Sequence, residues 1–213
     1  MASATPEPVA LAILAKAPTA GAVKTRLIPA LGAQGAAVLH ARLIERTVET
    51  ACAAGIGPVT LWVTPGPPHA YFTALASRFP IGLAVQPDGD LGARMLAACQ
   101  AAAAPVIVVG TDCPALMPAH LRQAADVLRE GNDVVVTPAE DGGYVLIGSR
   151  QPQPNLFADM TWGADAVMAE TRTRLARDRL RWRELPVSWD VDRPEDLARL
   201  RKLGVDHIAR VDN

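Results

Sequence analysis

The sequence predicts an α/β fold built on a mainly parallel sheet, and three observations carry that prediction. Short apolar runs rich in β-branched residues recur without the alternation of a half-exposed strand. Stretches with helical periodicity lie between them, and glycines stand where two of those stretches should end. Strand–helix alternation imposes right-handed crossovers, and in such sheets ligands bind beyond the carboxyl ends of the strands. The residues that follow each strand are therefore the ones to inspect for chemistry.

In chain order, the strand runs are residues 9–15, 59–64, 81–85, 106–110, 134–137 and 144–147. A helix over 33–54 places Leu39, Leu43, Thr47 and Ala51 on one stripe and ends at Gly55. A second covers 91–103. A third, over 118–130, aligns Leu121, Ala125 and Leu128 and ends at Gly131. The proline-rich QPQPN at 151–155 marks a turn out of the central sheet, and a last helix begins near Pro194. Residues 1–8 read as a flexible tail and 9–213 as one domain, which suits a chain of 213 residues.

Composition removes several classes of function. With 21 Lys+Arg against 22 Asp+Glu the net charge is -1, so no global basic field recruits nucleic acid or an anionic membrane. No apolar run approaches the roughly 18 residues of a spanning helix. The first eight residues lack the basic and apolar regions of a secretory signal. Cys52, Cys99 and Cys113 have neither zinc-site spacing nor disulfide parity, which fits a reducing, cytoplasmic setting. His40, His69, His120 and His207 form no pair or triad and read as surface residues.

Four segments carry candidate chemistry. KAPTAGAVKTRL, 16–27, hangs Lys16, Lys24 and Arg26 around the flexible Gly21 directly after the first strand, where a phosphate would sit. It matches the G-x-x-x-x-G-K-[ST] loop only in part, which disfavours a kinase or ATPase. VIVVGTDCPAL, 106–116, delivers Asp112 from a buried strand to the active rim, as a ligand for a hard cation or as a cap of the following turn. PAEDGGYVLIG, 138–148, sets Gly142 and Gly143 beside an acidic pair, which suits close approach to a ligand or a plain hairpin turn. SWDVDRPEDLARL, 188–200, alternates Asp190 and Asp192 along an extended segment, while Asp192 with Glu195 has capping-box spacing. Cys113 lacks a base partner and reads as a turn cysteine. Trp162, Trp182 and Trp189 read as packing residues, with Trp162 able to reach a substrate ring.

Together KAPTAGAVKTRL, GTDCPAL, EDGGYVLIG, the LFADMTWG segment and WDVDRPEDL resemble the nucleotide-diphospho-sugar transferase superfamily. The similarity lies with its branch of radical-SAM/selenodomain-associated transferases, also described as glycosyltransferases. The motifs keep their order over residues 9–203. The resemblance implies a three-layer, Rossmann-like GT-A fold and transfer from a nucleotide-activated donor to a small-molecule acceptor. Mg²⁺ or Mn²⁺ would assist, with Asp112 as the strand-end metal residue and Asp190 or Asp192 as the second acid. It also implies Lys16, Ala17, Pro18, Gly21, Lys24, Thr25 and Arg26 at the phosphates, and Glu140, Asp141, Gly142, Gly143, Tyr144 and Trp162 at the acceptor. Lys24, Arg26, Asp112 and Asp141 would carry catalysis, Asp141 as general base.

The donor is expected to be a nucleotide-diphospho-sugar. The cationic first loop is also similar to that of nucleotidyltransferases such as phospholactate guanylyltransferase, which grip a triphosphate, so an NTP donor with pyrophosphate release is the alternative. A nucleotide-binding protein without chemistry is the alternative of another class. A homodimer is compatible with all three.

Overall fold

The structure is a computed structural model that describes residues 6–66, 69–102 and 105–203. His207 and residues 1–5 of the expected tail lie outside the described residues. The strands are β1 (Ala10–Lys16), β2 (Val59–Thr64), β3 (Ile81–Val85), β4 (Val106–Val109), β5 (Val134–Pro138), β6 (Tyr144–Ser149) and β7 (Trp182–Glu184). The helices are α1 (Ile28–Ala54), α2 (Ala70–Arg78), α3 (Leu91–Ala101), α4 (Pro118–Arg129), α5 (Pro154–Phe157), α6 (Val167–Arg177) and α7 (Pro194–Lys202). One 7-stranded sheet runs β3-β2-β1-β4-β6-β5-β7. Only β6 is antiparallel to its neighbours.

The central strands lack alternation because both faces are covered. Leu11 and Ile13 of β1 join a core with Ile44, Val48, Phe72, Leu121 and Leu128 from α1, α2 and α4. Ala12 between them joins Met95, Leu156, Phe157 and Met168 from α3, α5 and α6 on the other face. This is the expected three-layer architecture.

Several helix ends follow their local sequence. Gly55 closes α1 at φ 62. The Asp90 carboxylate accepts the Ala93 N–H at 2.8 Å to start α3. The expected cap at Asp192 is corrected: Asp196 Oδ2 accepts the N–H groups of Asp192 at 2.9 Å and Arg193 at 2.7 Å, so the helix-starting carboxylate is Asp196. Asp192 is thereby released for other contacts.

Two further differences from expectation have physical reasons. Helical structure extends back to Thr25, and Thr25–Ala54 is long and apolar enough by length and composition alone to cross a membrane. Its stripe Leu39, Leu43, Ile44, Val48 and Ala51 is buried in the protein, and Gly32 kinks it at φ 69. Four charged residues, Arg42, Glu45, Arg46 and Glu49, line a surface groove on α1. It is the helix that covers the sheet. Strand β7, helix α2 and helix α6 were not expected, because three residues, WRE, give no periodicity and the two helices are short or highly charged.

Candidate functional site

The four segments with candidate chemistry reach the carboxyl rim of the sheet. The loop after β1, the turn after β4, the loop from β5 into β6 and the segment after β7 all leave there. A third hydrophobic cluster ties them down: Leu27 from the first loop, Leu39 and Leu43 from α1, Trp189 and Val191 from the last segment, and Leu200 from α7. The last segment also runs across the end of β4, where the Val191 N–H donates to the Asp112 carbonyl at 2.8 Å.

Lys24 is the pivot of this rim. It adopts a left-handed conformation at φ 46 and precedes a one-turn 3₁₀ helix, Thr25–Leu27. Its side chain is 4% exposed, with Nζ 2.8 Å from Asp112 Oδ1. The same ammonium donates to the Val191 carbonyl at 2.6 Å. Lys24 therefore does not project into solvent as a free phosphate contact; it is the internal counter-ion of Asp112 and the anchor of the last segment. Arg26 stays exposed and pairs with Asp192.

His40 is buried, which corrects the surface reading. Its Nε2 lies 3.0 Å from the Lys16 carbonyl, which can only accept, so Nε2 carries the proton in the neutral ring. Burial lowers its pKa against the pull of Asp112, and Nδ1 faces Asp112 Oδ1 at 3.9 Å without a hydrogen bond.

The four aspartates converge. Burial pushes the Asp190 carboxyl up to about 7, and the charges of Asp112, Asp141 and Asp192 push the same way, with only Lys24 opposing them. A cleft of about 490 Å³ opens beside them, within the range of small-molecule sites; Arg26, Asp141, Asp165, Asp190 and Asp192 contribute to its wall.

Other expected residues have different placements. Lys16 folds back to donate from Nζ to the Ala22 carbonyl at 2.8 Å. Ala17 is held to β2 by its N–H on the Thr64 carbonyl at 2.8 Å, and the turn passes Gly21 at φ 79. Pro18 and Thr25 sit on the same rim outside the cleft wall, whereas Glu140 lines it but is engaged by Arg199 at 2.6 and 2.7 Å. The Asp141 carboxylate accepts the Gly143 N–H at 3.0 Å, forming an Asx turn. Gly142 has φ 89, and a Cβ there would lie 1.9 Å from the Asp165 carbonyl oxygen, so its glycine serves contact with the chain itself.

Tyr144 and Trp162 are both partly buried. Their rings meet edge to face with centroids 6.4 Å apart, beside the core of α3, α5 and α6. Cys113 is buried against the Ser188 hydroxyl at 3.2 Å, and burial raises its thiol pKa, which agrees with a structural cysteine. Sequence reasoning missed His40, Arg199 and Asp196. Only Asp196 had a local signal, an acid three residues after Arg193 with Pro194 between.

Carboxylate oxygens at a strand end are the donor set that a hard divalent cation takes, and a cation beside Asp190 would offset the burial of its carboxylate and its repulsion by Asp112, Asp141 and Asp192. Among the described residues no group of three or more His, Cys, Asp and Glu is arranged to hold a metal unaided.

The chain belongs to the family described as "Uncharacterized protein conserved in bacteria (DUF2064)", whose profile matches residues 47–164. A crystal structure from Desulfovibrio desulfuricans G20, provisionally assigned as a nucleotide-diphospho-sugar transferase, is similar over 93% of this chain and 88% of its own, at TM-score 0.83 and 29% identity. Rv0371c from Mycobacterium tuberculosis H37Rv, in a complex with manganese, is similar over 91% of this chain and 98% of its own, at TM-score 0.55 and 21% identity. CMP:2-keto-3-deoxy-manno-octonic acid synthetase complexed with CTP matches 94% of this chain and 99% of its own, at TM-score 0.59 and 13% identity. The last two show the fold alone. The search of curated proteins found no match. The superfamily resemblance and the fold read from the sequence are borne out.

Proposed function

We propose that this protein is a metal-assisted transferase that takes a nucleotide-diphospho-sugar as donor and a small molecule as acceptor. The observation that carries the reading is the convergence of Asp141, Asp190, Asp192 and Arg26 on the wall of one cleft at the carboxyl rim, with the charge of the Asp112–Lys24 pair felt at Asp190. The likeness to the Desulfovibrio protein supports the donor class. Asp112 and Asp190 would hold the cation, which when bound supplies Lewis-acid stabilisation of the nucleoside diphosphate leaving group.

The chain's own residues supply the rest. Arg26, exposed at the cleft, is the cation free to exchange Asp192 for a donor phosphate. Lys24 fixes the orientation of Asp112 and lowers the charge cost of gathering acids there. Asp141, on the cleft wall beside Asp190, is the base that accepts the acceptor's hydroxyl proton. Lys16, Ala17, Pro18, Gly21 and Thr25 form the backbone wall of the first loop. The whole of 9–213 acts as one domain, working in the cytoplasm.

Nucleotidyl transfer is the second reading, favoured by the cationic loop standing on the same rim as the acids. Incubation with Mg²⁺ or Mn²⁺, a panel of nucleotide sugars and nucleoside triphosphates, and small-molecule acceptors separates the readings by mass spectrometry. Free nucleoside diphosphate supports glycosyl transfer and pyrophosphate supports nucleotidyl transfer. Nucleotide binding with no product in any combination overturns both in favour of a binding protein.

A further inference from the structure

Arg199 of α7 is absent from the wall of the acid-lined cleft, yet it grips both loops that bring acids there. Its guanidinium forks onto Glu140, Nη1 to Oε2 at 2.6 Å and Nη2 to Oε1 at 2.7 Å. The same guanidinium stacks over the Trp189 ring at 4.3 Å from the centroid. Glu140 immediately precedes Asp141 and Trp189 immediately precedes Asp190. One side chain thus holds the neighbours of two site carboxylates that come from loops far apart in sequence.

The two loops differ in how well they are seated. Trp189 is buried among Leu27, Leu39, Leu43, Val191 and Leu200, so the segment bearing Asp190 is fixed by packing. The Glu140–Asp141 turn is exposed and is held by backbone bonds, such as the Glu140 N–H on the Ser188 carbonyl at 3.0 Å. Backbone bonds already tie this turn to the seated segment at Ser188, whose N–H also donates to the Pro138 carbonyl at 2.9 Å, and Arg199 adds a side-chain bridge from Glu140 to Trp189. Its side chain is 44% exposed and that of Glu140 53%, so the ion pair adds little to folding, and its consequence lies in orientation. Lysine could not substitute, because a point charge neither forks onto a carboxylate nor stacks flat on an indole.

We propose that Arg199 is a positioning residue that sets the placement of Asp141 against Asp190 across the cleft. This rests on the transferase reading. The backbone bonds at Ser188 set the two chains side by side, and the Arg199 bridge further restricts the residues that directly precede the two carboxylates, so that the pair is preorganised for a cation and an acceptor.

The test compares wild type with Arg199→Met, Arg199→Lys, Glu140→Gln and the Arg199→Met/Glu140→Gln double variant. Readouts are Mn²⁺ binding by electron paramagnetic resonance, steady-state kinetics, hydrogen exchange of the peptides spanning 139–143 and 188–193, and Tm. Arg199→Met should weaken Mn²⁺ binding and lower kcat by roughly tenfold each while changing the donor KM less. Exchange should rise most in 139–143, with Tm nearly unchanged. Arg199→Lys should recover less than half of the loss, the double variant should be no worse than either single one, and Arg201→Met on the same helix should match wild type. Glu140→Gln breaks the fork without touching α7, so it decides the matter if Arg199→Met unfolds the helix. Wild-type Mn²⁺ affinity, kcat and loop exchange in Glu140→Gln and in a folded Arg199→Met would overturn the proposal. Failure of wild type to bind Mn²⁺ or turn over, with exchange in 139–143 still rising in the variants, would overturn the transferase reading and leave the latch standing.

Discussion

The two rims of the sheet carry clefts of nearly equal size and opposite chemistry. The cleft at the amino ends, about 550 Å³, is lined by Glu7, Pro105, Asp133, Arg150 and Gln151 among others. The cleft at the carboxyl ends is about 490 Å³. At the amino rim Asp133 is satisfied: its Oδ2 accepts the Arg181 N–H at 2.8 Å, and its own N–H donates to the Arg181 carbonyl at 2.7 Å. At the carboxyl rim the acids outnumber their partners, and Asp190 is pushed up to about 7. Volume does not distinguish a functional cleft from a surface hollow. Uncompensated charge does, because a fold retains it only where something else supplies the missing partner.

The largest expected effect tests the rim itself. Asp190→Asn should reduce transferase turnover by roughly 10²–10³-fold, the scale at which losing one electrostatic group at a reacting centre is felt. Asp112→Asn should do the same at a stability cost that Asp190→Asn lacks. It removes the carboxylate charge paired with the nearly buried Lys24, costing about 1–3 kcal/mol, at the low end because Asp112 is itself half exposed. Thermal melts beside the assay separate the two. Turnover retained in both variants would mean that charge crowding at this rim is not catalytic.

That pairing also marks the limit of what the sequence could disclose. Asp112 and Asp190 were legible because strand ends and alternating extended residues obey local rules. Lys24 was legible as a cation at the right rim, but not as a buried counter-ion, since its partner lies 88 positions away and no local pattern encodes such a contact. The Arg199–Glu140 fork, across 59 positions, and the burial of His40 were hidden for the same reason. The edge-to-face contact of Tyr144 with Trp162, beside the core of α3, α5 and α6, was likewise not encoded in any local pattern. Strand β7 was invisible because its three residues pair with β5 through backbone bonds that no side-chain pattern announces.

A second prediction concerns the backbone beneath the acids. Gly142→Ala would place a Cβ 1.9 Å from the Asp165 carbonyl oxygen, at φ 89. The turn bearing Asp141 must then shift. A loss of about 1–3 kcal/mol, with turnover falling alongside, is expected. Denaturant melts check the first and the product assay the second. Unchanged activity would show that the placement of Asp141 does not matter.

The third uses pH with the metal removed by a chelator. Asp190 has a folded pKa of about 7 against an unfolded value near 3.9, so the folded state holds the proton more tightly. Its contribution to stability is full below pH about 4 and is lost as pH rises through about 7. The chelated protein should therefore lose Tm between about pH 4 and 7, with no further loss from this group above that. Asp190→Asn should flatten that slope, and added Mn²⁺ should restore stability at pH 8. A slope unchanged in Asp190→Asn would place the unpaired charge elsewhere.

The smallest effect belongs to the opposite rim and closes the comparison. Asp133→Asn keeps the shape of the side chain but weakens a charge-assisted contact with the Arg181 N–H at the entry to β7. The cost should be about 0.5–1 kcal/mol, because the residue is partly solvated and an amide oxygen still accepts. Turnover and Mn²⁺ affinity should match wild type, since no site carboxylate belongs to that rim. Arg150→Met, lining the same cleft, should also leave both unchanged. A loss of activity in either variant, without a loss of fold, would show that the amino-rim cleft takes part in the reaction and that charge satisfaction is a poor guide to which hollow works.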